Sequence, residues 1–562
     1  MKGAKAVLEL LEGQGVDVMF GYPGGVTIPL YDELLDSSIH HVLVRHEQCA
    51  AHMADGYSRT TSKTGVCLAT SGPGATNLVT GVATAYADSS PMMVLTGQVA
   101  TAAIGNNAFQ EADIFSLMMP ITKHNYRVLK PGDLPEAIKR GMGIANSGRK
   151  GPVHIDLPVD VLRGEIDPAK LQENFPVPSP YEDLSSVLDA VKMLRDAERP
   201  VLLVGGGARW SNASSEVLRL AEMLVAPVVT TIMAKAIIPE DHPMSFGMLG
   251  MHGRECSRKA LLEADVIFAI GARFSDRTIG YDSEVPKETK VIHLDIDPME
   301  SGKNPRTKVR LVGDAKKGLQ MIIRALGRIN KGETAWSRRV KELYDGCECN
   351  IDIDEDPVKP QKAIWELRKA LASDAFVVTE VGQNQMWAAH FMRLKHPNQF
   401  VTSGGMGTMG FGFPASIGVK YAHRDKQVVD IAGDGSFQMV FQELATAMSE
   451  DLPVVVCLLN NGWLGMVKQW QKLMWNRRYC GTELRNNPDF VKLAEAFGAG
   501  GMTVTRSSEL AEGFKTALSS DVPFVLDIRT DPEEDMLPMV PGGVSSLDGT
   551  IRNRCRWNQQ SR

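Results

Sequence analysis

Long apolar segments are missing from this chain of 562 residues. The longest apolar runs, such as residues 454–459, are far too short to cross a bilayer. The opening segment MKGAKAVLELLEGQGVDVMF carries Glu9, Glu12 and Asp17 inside its apolar pattern. That pattern predicts an amphipathic helix followed by a strand, not a signal or transit peptide. We therefore expect no membrane association and a cytoplasmic location.

Cysteine is also sparse, with eight residues scattered along the chain. This distribution does not predict the disulfide framework of a small secreted domain. Cys347 and Cys349 form the one close pair in the sequence, and no second pair or histidine cluster accompanies them as a zinc site would require. We expect both to be reduced thiols, as in a cytoplasmic protein.

An excess of positive charge is absent as well. The chain has 61 Lys and Arg against 67 Asp and Glu, which gives a formal net charge of -6. A surface that neutralises phosphates needs the opposite balance, so nucleic acid is not an expected partner.

Short strand-like runs alternate with helical patterns through most of the chain, which is typical of parallel α/β layers. The clearest runs are residues 65–70, 92–96, 153–157, 201–204, 266–270, 291–295, 376–379, 428–432 and 453–459. Two polar stretches that contain proline, 164–185 and 350–360, are predicted linkers. The sequence thus predicts an α/β protein with three doubly wound parallel-sheet domains. Their predicted bounds are 1–165, 186–335 and 358–540, followed by a tail at 541–562.

Two consecutive strands of the C-terminal unit end in polar residues. The first ends in the sequence Gly433-Asp434-Gly435-Ser436 and the second in Asn460-Asn461-Gly462. Ligands bind at the carboxyl ends of parallel strands, and glycines beside Asp434 allow backbone to approach an anion closely. The oxygens of Asp434 and Asn461 suit Mg²⁺ better than zinc. Taken alone, a strand-end Asp could also belong to a turn or cap a helix.

The spacing of this pair carries a family resemblance. Asn461 follows Asp434 by 27 residues, and each lies at a strand end. The arrangement resembles the diphosphate motif of thiamine-diphosphate enzymes. The resemblance implies that Asp434, Asn461 and the carbonyl of Trp463 hold the metal, and that the C-terminal unit binds the diphosphate of the cofactor.

Glu47 is the candidate for proton transfer. It lies in the segment Arg45-His46-Glu47-Gln48, between the strand HVLV and a predicted helix. A Glu at the end of a buried strand is costly unless it is hydrogen-bonded, although capping the helix explains it equally well. The family resemblance implies that Glu47 exchanges a proton with N1′ of the aminopyrimidine ring. It also implies a homodimer or homotetramer, in which the N-terminal, pyrimidine-binding domain of one subunit faces the diphosphate domain of another.

Further segments resemble one branch of that family, the large subunit of acetohydroxyacid (acetolactate) synthase, across nearly the full chain. They are FGYPGG (20–25), TSGPGATN (70–77), AFQEAD (108–113), GMLGMHG (247–253), GARFSDR (271–277), VGQNQMW (381–387), SGGMGTMGFGFPA (403–415) and GMVKQWQ (465–471). The resemblance implies decarboxylation of pyruvate and condensation with a second 2-ketoacid, pyruvate or 2-ketobutyrate, in branched-chain amino-acid biosynthesis, with isoleucine and valine as end products. It leaves room for a separate regulatory small subunit.

Alternative functions stay open at this stage. On the same fold they are a pyruvate oxidase, a catabolic acetolactate synthase and a sulfoacetaldehyde acetyltransferase, against which Trp470 and the segment GARFSDR favour the anabolic synthase. A catalytically dead cofactor-binding subunit is a further alternative, and the joint presence of Glu47, Asp434 and Asn461 argues against it.

The resemblance also assigns cofactor and substrate residues. Met409 is expected beneath the thiazolium ring, Phe109 and Gln110 on the substrate side from the partner subunit, and Trp470 beside the second ketoacid. The remaining residues expected at thiamine diphosphate are Val381, Gly382, Gln383, Asn384, Gly433, Gly435, Ser436, Gly465 and Met466. On pattern alone, Met409 and Trp470 could equally be core residues.

The middle unit resembles the FAD-binding domain of the anabolic synthases. The residues that carry this expectation are Arg149, His252, Arg273, Arg277, Asp295 and Asp314. Arginines suit a pyrophosphate and carboxylates suit ribose hydroxyls. The resemblance implies a structural flavin, since the net reaction does not consume it. Two positions depart from the family pattern, Val159 where Lys is usual and Ser275 where Asp is common.

Overall fold

Six parallel strands form the sheet of the N-terminal unit. The computed structural model describes residues 1–279, 285–329, 333–347 and 353–540. The strands run in the order β2-β1-β3-β4-β6-β5. They are β1 (Val18–Gly21), β2 (His40–Leu43), β3 (Gly65–Ala69), β4 (Met92–Gln98), β5 (His124–Arg127) and β6 (Pro152–Pro158). The helices are α1 (Gly3–Gly13), α2 (Ile28–Leu34), α3 (Glu47–Thr61), α4 (Pro73–Asn77), α5 (Val79–Ala87), α6 (Ile114–Met118), α7 (Leu134–Asn146) and α8 (Val159–Arg163).

The central unit repeats this architecture, with strand order β12-β11-β10-β7-β8-β9. The strands are β7 (Pro200–Val204), β8 (Val228–Thr230), β9 (Ser245–Met248), β10 (Val266–Ile270), β11 (Lys290–Asp295) and β12 (Thr307–Val312). The helices are α9 (Val187–Asp196), α10 (Gly206–Trp210), α11 (Ser214–Leu224), α12 (Glu255–Glu263), α13 (Asp276–Ile279), α14 (Ala315–Leu326) and α15 (Ala335–Asp345).

The C-terminal unit forms a third parallel sheet in the order β14-β13-β15-β16-β18-β17. The strands are β13 (Phe376–Thr379), β14 (Phe400–Val401), β15 (Val428–Gly433), β16 (Val455–Asn460), β17 (Gly500–Val504) and β18 (Phe524–Arg529). The helices are α16 (Pro360–Ala370), α17 (Gln383–Phe391), α18 (Gly412–Ala422), α19 (Asp434–Phe437), α20 (Leu444–Ser449), α21 (Gly465–Met474), α22 (Phe490–Ala496) and α23 (Leu510–Leu518).

Helices cover both faces of each sheet. Along β16, Val456 and Leu458 join one hydrophobic cluster while Cys457 and Leu459 join another, because successive side chains of a strand point to opposite faces. Continuous apolar runs are typical of strands buried in this way. The prediction of three doubly wound parallel sheets is confirmed. The exact domain bounds stay a prediction.

The first and third units share one core. Helix α3 packs along α18, and the two backbones approach so closely that a side chain on Gly56 would collide with the carbonyl of Ala415. Gly418 meets the carbonyl of Met53 in the same way. A single hydrophobic cluster therefore contains residues of both units. The sequence predicted the three sheets but did not predict that α3 packs against α18.

One expectation about cysteine is wrong. Cys347 is joined to Cys256 in a disulfide that spans 91 positions of sequence, and is not a reduced thiol. Cys349 lies outside the described residues, as does the predicted tail at 541–562. The partner of Cys347 comes from α12, and proximity in sequence, which suggested Cys349, carries no information about such a contact.

In the part of the chain that the structure describes, no helix is both long enough and apolar enough to span a membrane.

Candidate cofactor site

The predicted metal ligands meet at the carboxyl ends of β15 and β16. These strands pair side by side, with Gly433 opposite Leu459. Asp434 is buried at the start of α19, and its Oδ2 accepts the N–H of Gly462 at 3.1 Å. The Oδ1 of Asn461 accepts the N–H of Trp463 at 3.0 Å. Two strand ends that are distant in sequence thus present a carboxylate and an amide to the same place.

The electrostatics of Asp434 suit a cation. Burial raises the pKa of its carboxyl to about 6, because removal from water disfavours the charged form. The described residues contain no cluster of three His, Cys, Asp or Glu side chains that could hold a metal. One carboxylate with amide and carbonyl oxygens is instead a donor set that fits Mg²⁺, which takes further ligands from phosphate and water.

A small cavity of about 70 Å³ adjoins this pair. All residues of the C-terminal unit that the sequence predicted at thiamine diphosphate line this cavity. They are Val381, Gly382, Gln383, Asn384, Met409, Gly433, Asp434, Gly435, Ser436, Asn461, Gly465 and Met466. Trp463 lines it too, and all of its lining residues lie between Pro360 and Thr530. Gly382 has φ 148°, where a side chain would be strained and would lie 2.8 Å from the Asn384 amide oxygen.

Glu47 lies elsewhere, at the first turn of α3, and does not line that cavity in the same chain. Its Oε2 accepts a hydrogen bond from Nδ2 of Asn77 at 2.9 Å. Its Oε1 lies 3.1 Å from where a side chain on Gly74 would begin, so Glu47 faces the glycine-containing turn at 70–77. The ring of His46, not Glu47, caps the helix by accepting the N–H of Gln48 at 3.2 Å.

Gln110 contacts the same turn that Glu47 faces, and Phe109 directly precedes it in the chain. Phe109 is 89% exposed and Gln110 has φ +59°, a left-handed conformation that is uncommon outside glycine. Gly72, in the same turn that faces Glu47, approaches the carbonyl of Gln110 so closely that a side chain there would lie 2.7 Å from it. The predicted residues therefore form two groups within one chain, one on each terminal unit.

A much larger cavity, of about 790 Å³, lies where the three units meet. It is lined by all six residues predicted at FAD: Arg149, His252, Arg273, Arg277, Asp295 and Asp314. Trp470 lines it as well, and so does Ser275, one of the two positions that differ from the family pattern. The large cavity shares Val381, Gly382 and Met466 with the smaller one. The two cavities are therefore neighbours.

Burial shifts the pKa values of two titratable side chains in the large cavity. Burial lowers the pKa of His252 to about 4, so its imidazole is neutral at pH 7, and burial raises the pKa of Asp295 to about 6. The three consecutive glycines at the start of α10, residues 205–207, also line the cavity, and a side chain on Gly205 would collide with Gly271. Val159, the other position that differs from the family pattern, begins α8 in the N-terminal unit.

Two residues at the site were not identified from the sequence. Nδ2 of Asn487 donates to Oδ2 of Asp434 at 2.6 Å, and Glu380 hydrogen-bonds the backbone around Met409. Asn487 lies in a loop with no motif that could have signalled the contact. Glu380 lies one residue before the segment VGQNQMW and so was not part of the motif that the sequence offered.

The sheets and the Asp434–Asn461 pair define the class of protein, a thiamine pyrophosphate enzyme. Three family models match: the N-terminal TPP binding domain at residues 1–117, the central domain at 187–322 and the C-terminal TPP binding domain at 380–528. The chain is 49% identical to the "Probable acetolactate synthase large subunit" of Methanocaldococcus jannaschii, over 97% of this chain and 94% of that relative. The chain belongs to the family of acetolactate synthase large subunits.

Other relatives agree. The large subunit from Corynebacterium glutamicum is 43% identical over 98% of this chain and 90% of its own length. The isozyme 2 large subunit from Escherichia coli is 41% identical over 98% of this chain and 99% of its own. The family resemblance predicted from the sequence is confirmed.

Proposed function

We propose that this chain is the catalytic subunit of an acetolactate synthase. It decarboxylates pyruvate and joins the two-carbon unit to pyruvate or 2-ketobutyrate, giving 2-acetolactate or 2-aceto-2-hydroxybutyrate for valine and isoleucine biosynthesis. The observation that carries the proposal is the cavity beside Asp434 and Asn461, which gathers the predicted cofactor residues of the C-terminal unit. The similarity to acetolactate synthase large subunits over the full chain supports it.

The residues divide the work of binding. Asp434, the Asn461 amide oxygen and the Trp463 carbonyl would hold Mg²⁺, and Met409 would support the thiazolium ring. When bound, thiamine diphosphate supplies the nucleophilic carbon and takes up the electrons released on decarboxylation. Glu47 would hold the proton that is exchanged at N1′ of the aminopyrimidine, oriented by Asn77.

A second subunit would complete the site. In one chain, the cavity beside Asp434 is lined by the C-terminal unit alone, while Glu47, Gln110 and the exposed Phe109 lie on the N-terminal unit. A homodimer or homotetramer would bring Glu47 of one copy to the cofactor of another. Exposed apolar side chains on both units support such contacts, for example Met119 and Trp475.

Trp470 is proposed to set the choice of second ketoacid. It lines the large cavity next to Met466, which also borders the smaller one. A pocket that accommodates one extra methylene discriminates by only a modest factor, so both pyruvate and 2-ketobutyrate would be accepted.

We further propose a cytoplasmic enzyme that binds a separate regulatory small subunit. The name "large subunit" of its relatives supports the second part.

Product analysis tests the main proposal. Purified protein with pyruvate, Mg²⁺ and thiamine diphosphate is expected to form acetolactate and CO₂, and to lose this activity when EDTA removes the metal. The reaction is followed by colorimetric detection of acetoin after acid treatment. Formation of acetate or acetyl phosphate instead would favour an oxidase or an acetyltransferase, and no turnover at all would favour a binding subunit.

FAD is the proposed occupant of the large cavity, in a structural role. Replacing Arg277 by Ala is expected to weaken FAD binding by about 10-fold, because a guanidinium forms strong charge-assisted hydrogen bonds to a pyrophosphate. Arg277 is suitable because its side chain is 57% exposed and supports little of the fold. Quenching of flavin fluorescence measures the affinity, with Arg219→Ala on the surface of α11 as the matched control. Equal affinities in the two variants, or no flavin binding by the unaltered protein, would contradict the assignment.

A further inference from the structure

Two carboxyl groups lie fully buried behind the loop that carries Met409. Glu380 follows β13 and Asp430 lies within β15, and neither side chain is exposed. These strands are neighbours in the C-terminal sheet. Two buried acids side by side are expensive unless one is neutral and the other is well hydrogen-bonded. The hydrogen bonds in the structure distinguish the roles of Glu380 and Asp430.

Glu380 has the hydrogen-bond donors. Its Oε2 accepts the N–H of Gly410 at 2.7 Å, and its Oε1 accepts the N–H of Phe413 at 3.0 Å. Gly410 follows Met409 directly, and Phe413 lies in the first turn of α18. A negative charge is favoured at the amino end of a helix, where N–H groups lack partners within the helix. Glu380 thus connects the loop to the helix.

Asp430 has no such donors. Neither of its carboxyl oxygens has a hydrogen-bond partner among the described residues. Burial, and then the charge of Glu380, raise the pKa of Asp430 well above its ordinary value, while burial raises the pKa of Glu380 to about 7. Among the described residues no donor reaches Asp430, so Asp430 is the more readily protonated of the two acids, and the two backbone N–H donors favour the charged form on Glu380.

Glu380 also borders residues that line the cavity beside Asp434. Its own N–H donates to the carbonyl of Ile431 at 3.1 Å, and the next residues in the chain, Val381 and Gly382, line the cavity. Met409, which directly precedes Gly410, lines the same cavity. The Glu380 side chain therefore connects two segments of chain that line the cavity.

We propose that Glu380 is a positioning residue for Met409: its ionised carboxylate holds the backbone on the C-terminal side of Met409 and so sets where that side chain meets the cofactor. The proposal rests on the proposed function, in which Met409 supports the thiazolium ring. Glu380 itself is not among the residues that line the cavity.

A double-mutant cycle tests the proposal. Glu380→Gln keeps the shape but replaces one accepting oxygen by an N–H₂ group that faces a backbone N–H. It is expected to lower kcat by about 10- to 100-fold, because a charge-assisted hydrogen bond is lost. The KM for pyruvate should stay within about threefold. In a Met409→Ala background the same change is expected to cost less than about threefold, because the side chain it positions is gone. Losses that multiply independently would overturn the proposal.

The neighbouring acid supplies a matched control. Asp430→Asn is equally buried and is expected to stay within about threefold of the unaltered enzyme, since the structure makes Asp430 neutral already. A loss as large as that of Glu380→Gln would show that any change in this buried pair is harmful, and would also overturn the proposal. If Glu380→Gln does not fold, Glu380→Asp, which keeps the charge but is too short to reach both N–H groups, takes its place in the cycle. Failure of the proposed function would appear differently, as an unaltered protein that neither binds thiamine diphosphate nor converts pyruvate.

Discussion

Replacing Glu47 by Gln is expected to lower kcat for acetolactate formation by at least about 1,000-fold, near the upper range for removal of a general acid–base group. The amide keeps the size of the side chain and can still accept the hydrogen bond from Asn77, which the carboxylate makes at 2.9 Å. It cannot exchange a proton with N1′ of the aminopyrimidine. Steady-state kinetics with pyruvate measure the loss, and circular dichroism checks the fold.

A surface glutamate of the same unit is the control for Glu47. Glu136→Gln removes one carboxylate that forms an exposed ion pair with Arg140 at 2.8 Å, and such pairs contribute little. Its activity is expected to equal that of the unaltered enzyme. The Glu47 variant should still bind thiamine diphosphate and Mg²⁺, because the proposed ligands of the metal and the diphosphate all lie on the C-terminal unit. Substantial acetolactate formation by Glu47→Gln would refute its role.

Asp434→Asn is expected to abolish activity by a different route, the loss of the metal. The amide preserves hydrogen-bond acceptance from Gly462 but removes the single negative charge among the proposed metal ligands. Hard cations such as Mg²⁺ depend on anionic oxygen, so the affinity for Mg²⁺ with thiamine diphosphate should fall on the order of 100-fold or more. Cofactor titration, monitored through protein fluorescence, measures this affinity directly.

A distant aspartate is the control for Asp434. Asp374→Asn alters an exposed ion pair with Lys426 and should leave cofactor affinity unchanged. Binding and turnover measured together therefore distinguish the two variants. Glu47→Gln is expected to bind the cofactor without turnover, and Asp434→Asn is expected to fail to bind it. Normal magnesium and cofactor affinity in Asp434→Asn would remove this residue from the metal site.

Strand prediction succeeded where strands are buried on both faces. All nine apolar runs singled out from the sequence overlap strands of the structure. The edge strands β5 and β17 were not among them: β5 is mostly half-buried, and β17 is only partly buried along most of its length. A strand at a sheet edge has one neighbour and more solvent, so its sequence is less constrained to be apolar.

The candidate site divides in the same way. Asp434 and Asn461 could be paired from sequence, because their spacing at two strand ends resembles the diphosphate motif of thiamine-diphosphate enzymes. Asn487, which donates to Asp434, and Glu380, which holds Gly410, could not. A single polar residue in a loop or behind a strand carries no periodicity that would reveal its partner.

The sequence by itself determined the α/β class, the three sheets and the family, because strand burial and strand-end motifs are contained in short stretches of chain. The tertiary structure alone decided which distant stretches meet. It joined Cys256 to Cys347, packed α3 onto α18, separated Glu47 from the cavity beside Asp434, and opened the large cavity between three units. Such contacts arise when helix and sheet surfaces bury one another, and that outcome depends on the whole chain.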